Sequence, residues 1–136
     1  MDKTKFKFLE HTADIKFQAF GKNLNKCFEN SALAMINSQY KGKVKGKIKK
    51  KVKVKGKDLE SLLYNFLEEI LFLVDTEKFL ASKVKVKIKN KELESELTGD
   101  NIKNYKLSWE IKAITYNEMF VKKIKNKFKA QVVLDV

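Results

Sequence analysis

From Lys41 to Lys57 the chain reads KGKVKGKIKKKVKVKGK, and this alternation narrows sharply what the segment can become. Val44, Ile48, Val52 and Val54 all fall on even positions, while lysine takes nearly every odd one. An extended strand sends successive side chains to opposite faces, so a period of two yields one apolar face and one lysine face. A helix would scatter the same lysines around its circumference and bury some of them. Segment 41–57 is therefore read as a strand. SKVKVKIKN at 82–90 repeats the device with Val84, Val86 and Ile88, and VKKIKNKFK at 121–129 is a weaker version. Lysine rows of this kind are expected to be solvated faces that also discourage edge-to-edge pairing. The competing reading is a surface for polyanions.

Two segments switch to helical spacing. Leu24, Cys27, Phe28, Ala32, Met35 and Ile36 recur at intervals of three and four, which predicts a helix from Leu24 to about Ile36 capped by Asn23. Eight apolar residues from Leu59 to Val74 wrap more than half of a second helix, capped by Asp58 and expected at the centre of the domain against a sheet. Glu60, Glu68 and Glu69 mark its exposed strip. Strands are expected at 3–9, at 14–20 with Ile15, Phe17 and Ala19 on one face, and at 83–89, 91–98, 107–115, 119–125 and 127–134. Gly99-Asp100-Asn101 and YNEM at 116–119 supply turn chemistry between them. The expected fold is α+β, a single domain over residues 1–136, with two helices packed on a mostly antiparallel, multi-stranded sheet system.

The formal net charge is +13, so polyanions enter as candidate partners. Every basic residue is lysine, however, and arginine is the better bidentate reader of phosphate and base edges. Direct, specific recognition of nucleic acid is accordingly not expected, and any contact with it is expected to be indirect or weak. No glycine spacing matches a phosphate-cradling loop. A single histidine and a single cysteine cannot supply a zinc site of three or four nitrogen and sulfur ligands. Cys27 lies on the apolar stripe of its helix and points inward, away from any role as a nucleophile beside His11. No stretch is long and apolar enough to span a bilayer and no signal-like segment follows Met1, so a cytoplasmic location without a membrane partner is expected.

What remains is rich in oxygen. EHTADIKF at 10–17 gathers Glu10, His11, Thr12 and Asp14 just before a strand. Asp135 sits near the far end of the chain, in AQVVLDV. If the two strand ends lie together, two carboxylates converge, and the carboxylate of Val136 adds a third anionic group. Hard cations such as Ca²⁺ and Mg²⁺ prefer such oxygen donors. The plainer alternative is that Asp14 caps a turn and Asp135 pairs with a lysine.

FLEHTADIKFQAFG, CFENSALAM, GKDLESLLYNFLEEILFLVDTEKF, WEIKAITYNEM and VVLDV, taken in order over nearly the whole chain, resemble the archease family. The resemblance implies a small α+β accessory protein of tRNA splicing without a complete catalytic site of its own. Its partner would be an RtcB-type RNA ligase, whose GTP- and metal-dependent guanylylation and multiple turnover it would promote. Some members are instead linked to a tRNA cytosine-5 methyltransferase, as chaperone-like modulators of its specificity. The family's metal site falls here on Asp14, Asp135 and Val136, with Ca²⁺ the expected ion and Mg²⁺ or Mn²⁺ as alternatives, and with His11 in a supporting position. The chain departs from the pattern at Asn117, where many members carry histidine, and at Gly99-Asp100, where a Gly-Glu pair is common.

Overall fold

The two predicted helix caps form as the sequence suggests. Asn23 accepts the Lys26 backbone N–H through its side chain at 2.9 Å, and Asp58 accepts that of Ser61 at 2.7 Å, with the Ser61 hydroxyl completing a capping box. The computed structural model describes residues 4–10 and 14–136; His11, whose supporting role the sequence suggested, lies outside the described residues. In chain order the elements are β1 (Phe6–Leu9), β2 (Asp14–Gly21), α1 (Leu24–Gln39), β3 (Ile48–Lys55), α2 (Leu59–Asp75), β4 (Phe79–Lys89), β5 (Glu92–Asn101), β6 (Ala113–Ile124) and β7 (Lys127–Asp135).

The strands form two antiparallel sheets, one in the order β1-β2-β7-β6 and the other β3-β5-β4. Both helices touch both sheets. α1 packs on β2 and β7 of the first sheet and on β4 of the second, while α2 packs on β6 and β3. The core between them includes Phe17, Phe28, Met35, Leu63, Phe66, Leu93 and Leu97, all without solvent exposure. The α+β reading holds, and among the described residues no helix is long and apolar enough to cross a membrane.

The helices also close the sheet edges. On the free edge of β4, the Val86 N–H donates to Glu29 Oε2 at 2.9 Å and the Ile88 N–H to Asn25 Oδ1 at 3.0 Å. On β6 the Val121 N–H donates to Glu60 Oε2 at 3.0 Å, and on β3 the Lys55 carbonyl accepts from Asn65 Nδ2 at 2.7 Å. Glu60 was expected on the exposed strip of α2. It is half-buried instead, because β6 needs an acceptor there.

Four other expectations change. Segment 41–47 does not join the sheet and β3 starts at Ile48. The glycines at 42 and 46 weaken a strand, and the Lys45 N–H is taken by the Tyr105 hydroxyl at 2.9 Å. Gly99-Asp100-Asn101 is no turn but the end of β5. A Cβ on Gly99 would collide with the Leu80 carbonyl beside a bulge in β4, so glycine serves a close backbone approach. The turn that joins β4 to β5 is Asn90-Lys91, with both φ values positive (50° and 63°), the geometry of a tight hairpin. Residues 107–112 are not a strand, since the Ser108 N–H donates to the Gln39 carbonyl at the end of α1. YNEM is not a turn but an irregular stretch inside β6, where the register with β7 shifts between Thr115 and Phe120 and Glu118 has φ 57°.

The lysine faces meet glutamates. Glu92, Glu94 and Glu96 on the central strand β5 lie between Lys55, Lys53 and Lys51 of β3 and Lys89, Lys87 and Lys85 of β4. Lys53–Glu94 and Lys55–Glu92 close to 3.2 and 3.4 Å. The face is thus a solvated ladder of alternating charge rather than an unbroken lysine field.

Candidate metal centre

β2 and β7 pair without interruption over eight residues, and the first pair of that register is Asp14 opposite Asp135. Side chains on directly opposed residues leave the same face, with Cβ atoms about 5 Å apart. The two carboxylates predicted from opposite ends of the sequence are therefore neighbours at one end of the two central strands of the first sheet. Ala113 of β6 is the third member of the row, and its methyl group leaves room beside Asp135. The core face of β2 carries Ile15, Phe17 and Ala19, so parity sends Asp14 outward. Asp14 is half-buried and Asp135 exposed.

Two contacts fix the strand end that carries Asp135. Its carbonyl accepts the Lys112 N–H at 2.7 Å, and the next residue, Val136, packs its side chain against the core. Val136 thus follows Asp135 with its side chain anchored on the core. Lys16 shares the face of Asp14 and forms an ion pair with Glu118 at 3.0 Å. Farther along this face the Gln18 amide donates to Gln131 Oε1 at 2.8 Å, and Gln131 Nε2 donates to the Glu118 carbonyl at 2.8 Å. This polar row escaped the sequence reading. Lys16 was legible by parity with Asp14, whereas Glu118 comes into reach only through the irregularity in β6. Asn117 lies exposed in that same irregular stretch.

The donor set suits a hard cation. Paired carboxylate oxygens are ligands for Ca²⁺, Mg²⁺ or Mn²⁺, and neither sulfur nor imidazole from the described residues joins them. Among the described residues no three His, Cys, Asp or Glu side chains converge, so Asp14 and Asp135 supply a two-carboxylate bracket rather than a closed cage.

The other chemical candidates go elsewhere. Cys27 is buried with its thiol directed at the Ala19 carbonyl, and burial pushes its pKa up to about 12, which leaves no thiolate for chemistry. Asp100 is buried beside a cavity of about 320 Å³ lined also by Lys45 and Lys47. The Tyr105 hydroxyl donates to it at 2.8 Å and the Asn101 N–H at 2.8 Å, which holds its carboxyl below the usual range. Because Tyr105 also receives the Lys45 N–H, this network clamps segment 41–47 to the loop after β5.

Residues 6–136 match the model of the archease protein family (MTH1598/TM1083). The chain is 40% identical to the protein archease of Methanosarcina acetivorans, covering 97% of this chain and 96% of that one. It is 39% identical to the protein archease of Sulfurisphaera tokodaii, at 97% and 99% coverage. The solution structure of Methanobacterium thermoautotrophicum protein 1598 superimposes with a TM-score of 0.87 at 38% identity, covering 97% of this chain and 99% of that one. A Thermotoga maritima protein, described as an archease and possible chaperone, shares the fold with a TM-score of 0.66 at 19% identity, over 100% of this chain and 98% of that one. The chain belongs to the archease family.

Proposed function

We propose that this protein is an accessory factor of tRNA splicing that promotes the metal- and GTP-dependent guanylylation, and hence the multiple turnover, of an RtcB-type RNA ligase. The observation that supports the reading most is the direct opposition of Asp14 and Asp135 across β2 and β7. The pair sits at the ends of the two central strands of the first sheet rather than in a closed pocket, a placement suited to work on another protein's substrate. A divalent ion held there supplies positive charge for phosphate oxygens, the interaction on which phosphoryl and nucleotidyl transfer depend. Asp14 and Asp135 hold the ion, the Lys112 N–H fixes the β7 end, and Val136 anchors the terminus against the core. The protein completes no catalytic site of its own in this scheme and acts within the ligase's.

The test is ligase guanylylation and turnover with wild type, Asp14→Ala and Asp135→Ala across Ca²⁺, Mg²⁺ and Mn²⁺. Loss of a coordinating carboxylate is expected to reduce stimulation by about 10- to 100-fold or more. An independent readout is thermal unfolding, in which an ion at a hundred times its Kd adds about 2.7 kcal/mol to the wild type and nothing to Asp135→Ala. Full stimulation by Asp14→Ala overturns the reading.

A further inference from the structure

The outward face of α2 sets acids and aromatics side by side, whereas the glutamates of the β5 face are set among lysines. Tyr64, Glu68, Phe72 and Asp75 follow one another at spacings of four, four and three, so they form one continuous stripe along the helix. Six large hydrophobic residues are exposed among the described residues, and two of them belong to this face: Phe72 (49%) on α2 and Tyr116 (53%), stacked on Tyr64. Tyr116 lies flat on Tyr64, with ring centroids 4.2 Å apart and planes within 6°, and Glu68 stands one helical turn on from Tyr64. At the other end Trp109 precedes Glu110, whose carboxylate is close enough to Asp75 to raise the Asp75 pKa alongside burial. Lys78 offsets Asp75 in part, but among the described residues Glu68, Glu69 and Glu110 take no part in an ion pair with lysine. The stripe also borders the metal edge, since Glu110 is two residues from Lys112, which binds the Asp135 carbonyl.

We infer that this stripe is the docking surface for a lysine- and arginine-bearing segment of the partner protein. The inference rests on the ligase reading and gives the protein a second, separate point of contact with that ligase. Carboxylates alternating with aromatic faces suit guanidinium and ammonium groups, which pair with the former and lie over the latter, while their aliphatic stems cover Phe72. Exposed Trp and Tyr are also the residues that most often anchor protein interfaces. The same carboxylates repel phosphate, so the occupant is a protein and not an RNA.

The experiment is a titration of ligase stimulation with wild type, Phe72→Ser and the double variant Glu68→Lys/Glu69→Lys. All three positions are exposed, and circular dichroism checks that each variant folds. Loss of docking is expected to raise the concentration giving half-maximal stimulation by about tenfold while leaving the maximum unchanged. Asp14→Ala, by contrast, lowers the maximum. Trp109 is the sole tryptophan, so fluorinated tryptophan gives one ¹⁹F resonance that must shift or broaden when the ligase is added. Wild-type behaviour of both stripe variants overturns the inference while leaving the ligase reading intact. Gel filtration that shows a dimer abolished by the double variant, with stimulation unchanged, assigns the stripe to self-association and also overturns it. No stimulation by the wild type fails the functional reading and the docking role with it.

Discussion

Glu29 offers a direct measure of how α1 guards the second sheet. Its side chain is only 12% exposed, with one carboxylate oxygen 2.9 Å from the Val86 N–H and the other 3.1 Å from Lys26 Nζ. Glu29→Ala leaves a buried donor on the free edge of β4 without its acceptor, at a cost of about 2 kcal/mol. The ion pair with the half-exposed Lys26 adds only about 0.3 kcal/mol. With an unfolding entropy of about 2.1 cal/mol/K per residue over a 136-residue chain, that loss lowers Tm by about 7 °C. Glu29→Gln keeps an acceptor oxygen and is expected to cost about 1 kcal/mol or less. Thermal unfolding measures the totals, and amide hydrogen exchange at Val86 localises them. Faster exchange at Val86 than global destabilisation explains marks the opened edge. A Glu29→Ala protein within about 2 °C of wild type, with unchanged exchange at Val86, refutes the edge-capping argument.

Two further substitutions test the backbone and the core. Gly99→Ala drives a methyl group into the Leu80 and Ala81 backbone, so β4 must shift at a cost of about 2 kcal/mol or more. Gly42→Ala meets only the Tyr40 ring, which can move, and should cost clearly less; equal midpoints in urea for the two variants contradict this. For Cys27 the folded thiol holds its proton to about pH 12, whereas the unfolded one releases it near 9.0. The folded state thus binds more protons in that window, and stability falls as pH rises from about 9 towards about 12. Urea unfolding at stepped pH should show a steeper decline for wild type than for Cys27→Ala, and parallel declines would sink the assignment.

Local chemistry carried the helices well. Asn23 and Asp58 announce caps whose bonds depend only on residues three positions away, and the apolar stripes need no knowledge of the rest of the chain. Where long-range contacts decide, the sequence misleads. Gly99-Asp100-Asn101 has turn composition, yet its glycine answers a bulge in β4 and its aspartate answers Tyr105. Glu60 has the spacing of a solvent-facing residue, and only the location of β6 turns it into a hydrogen-bond acceptor. At the candidate site, parity could place Asp14 and Asp135 at strand ends but could not make those ends partners. That required the β2–β7 register, fixed by eight opposed pairs including Phe17 with Val132 and Ala19 with Ala130.

The strand order β1-β2-β7-β6 also bears on synthesis. β2 is among the first strands to leave the ribosome, yet its partner β7 is the last of the seven in chain order. Until β7 arrives, β2 offers an unpaired edge and Asp14 faces no second carboxylate. The closure is slow by topology, because two segments far apart in sequence must meet before their contacts repay the lost chain entropy. A nascent chain therefore sets its two carboxylates opposite each other only with the strand that completes the sheet. The incomplete edge is the stage at which misassembly is most exposed, and only the finished fold sets Asp14 opposite Asp135.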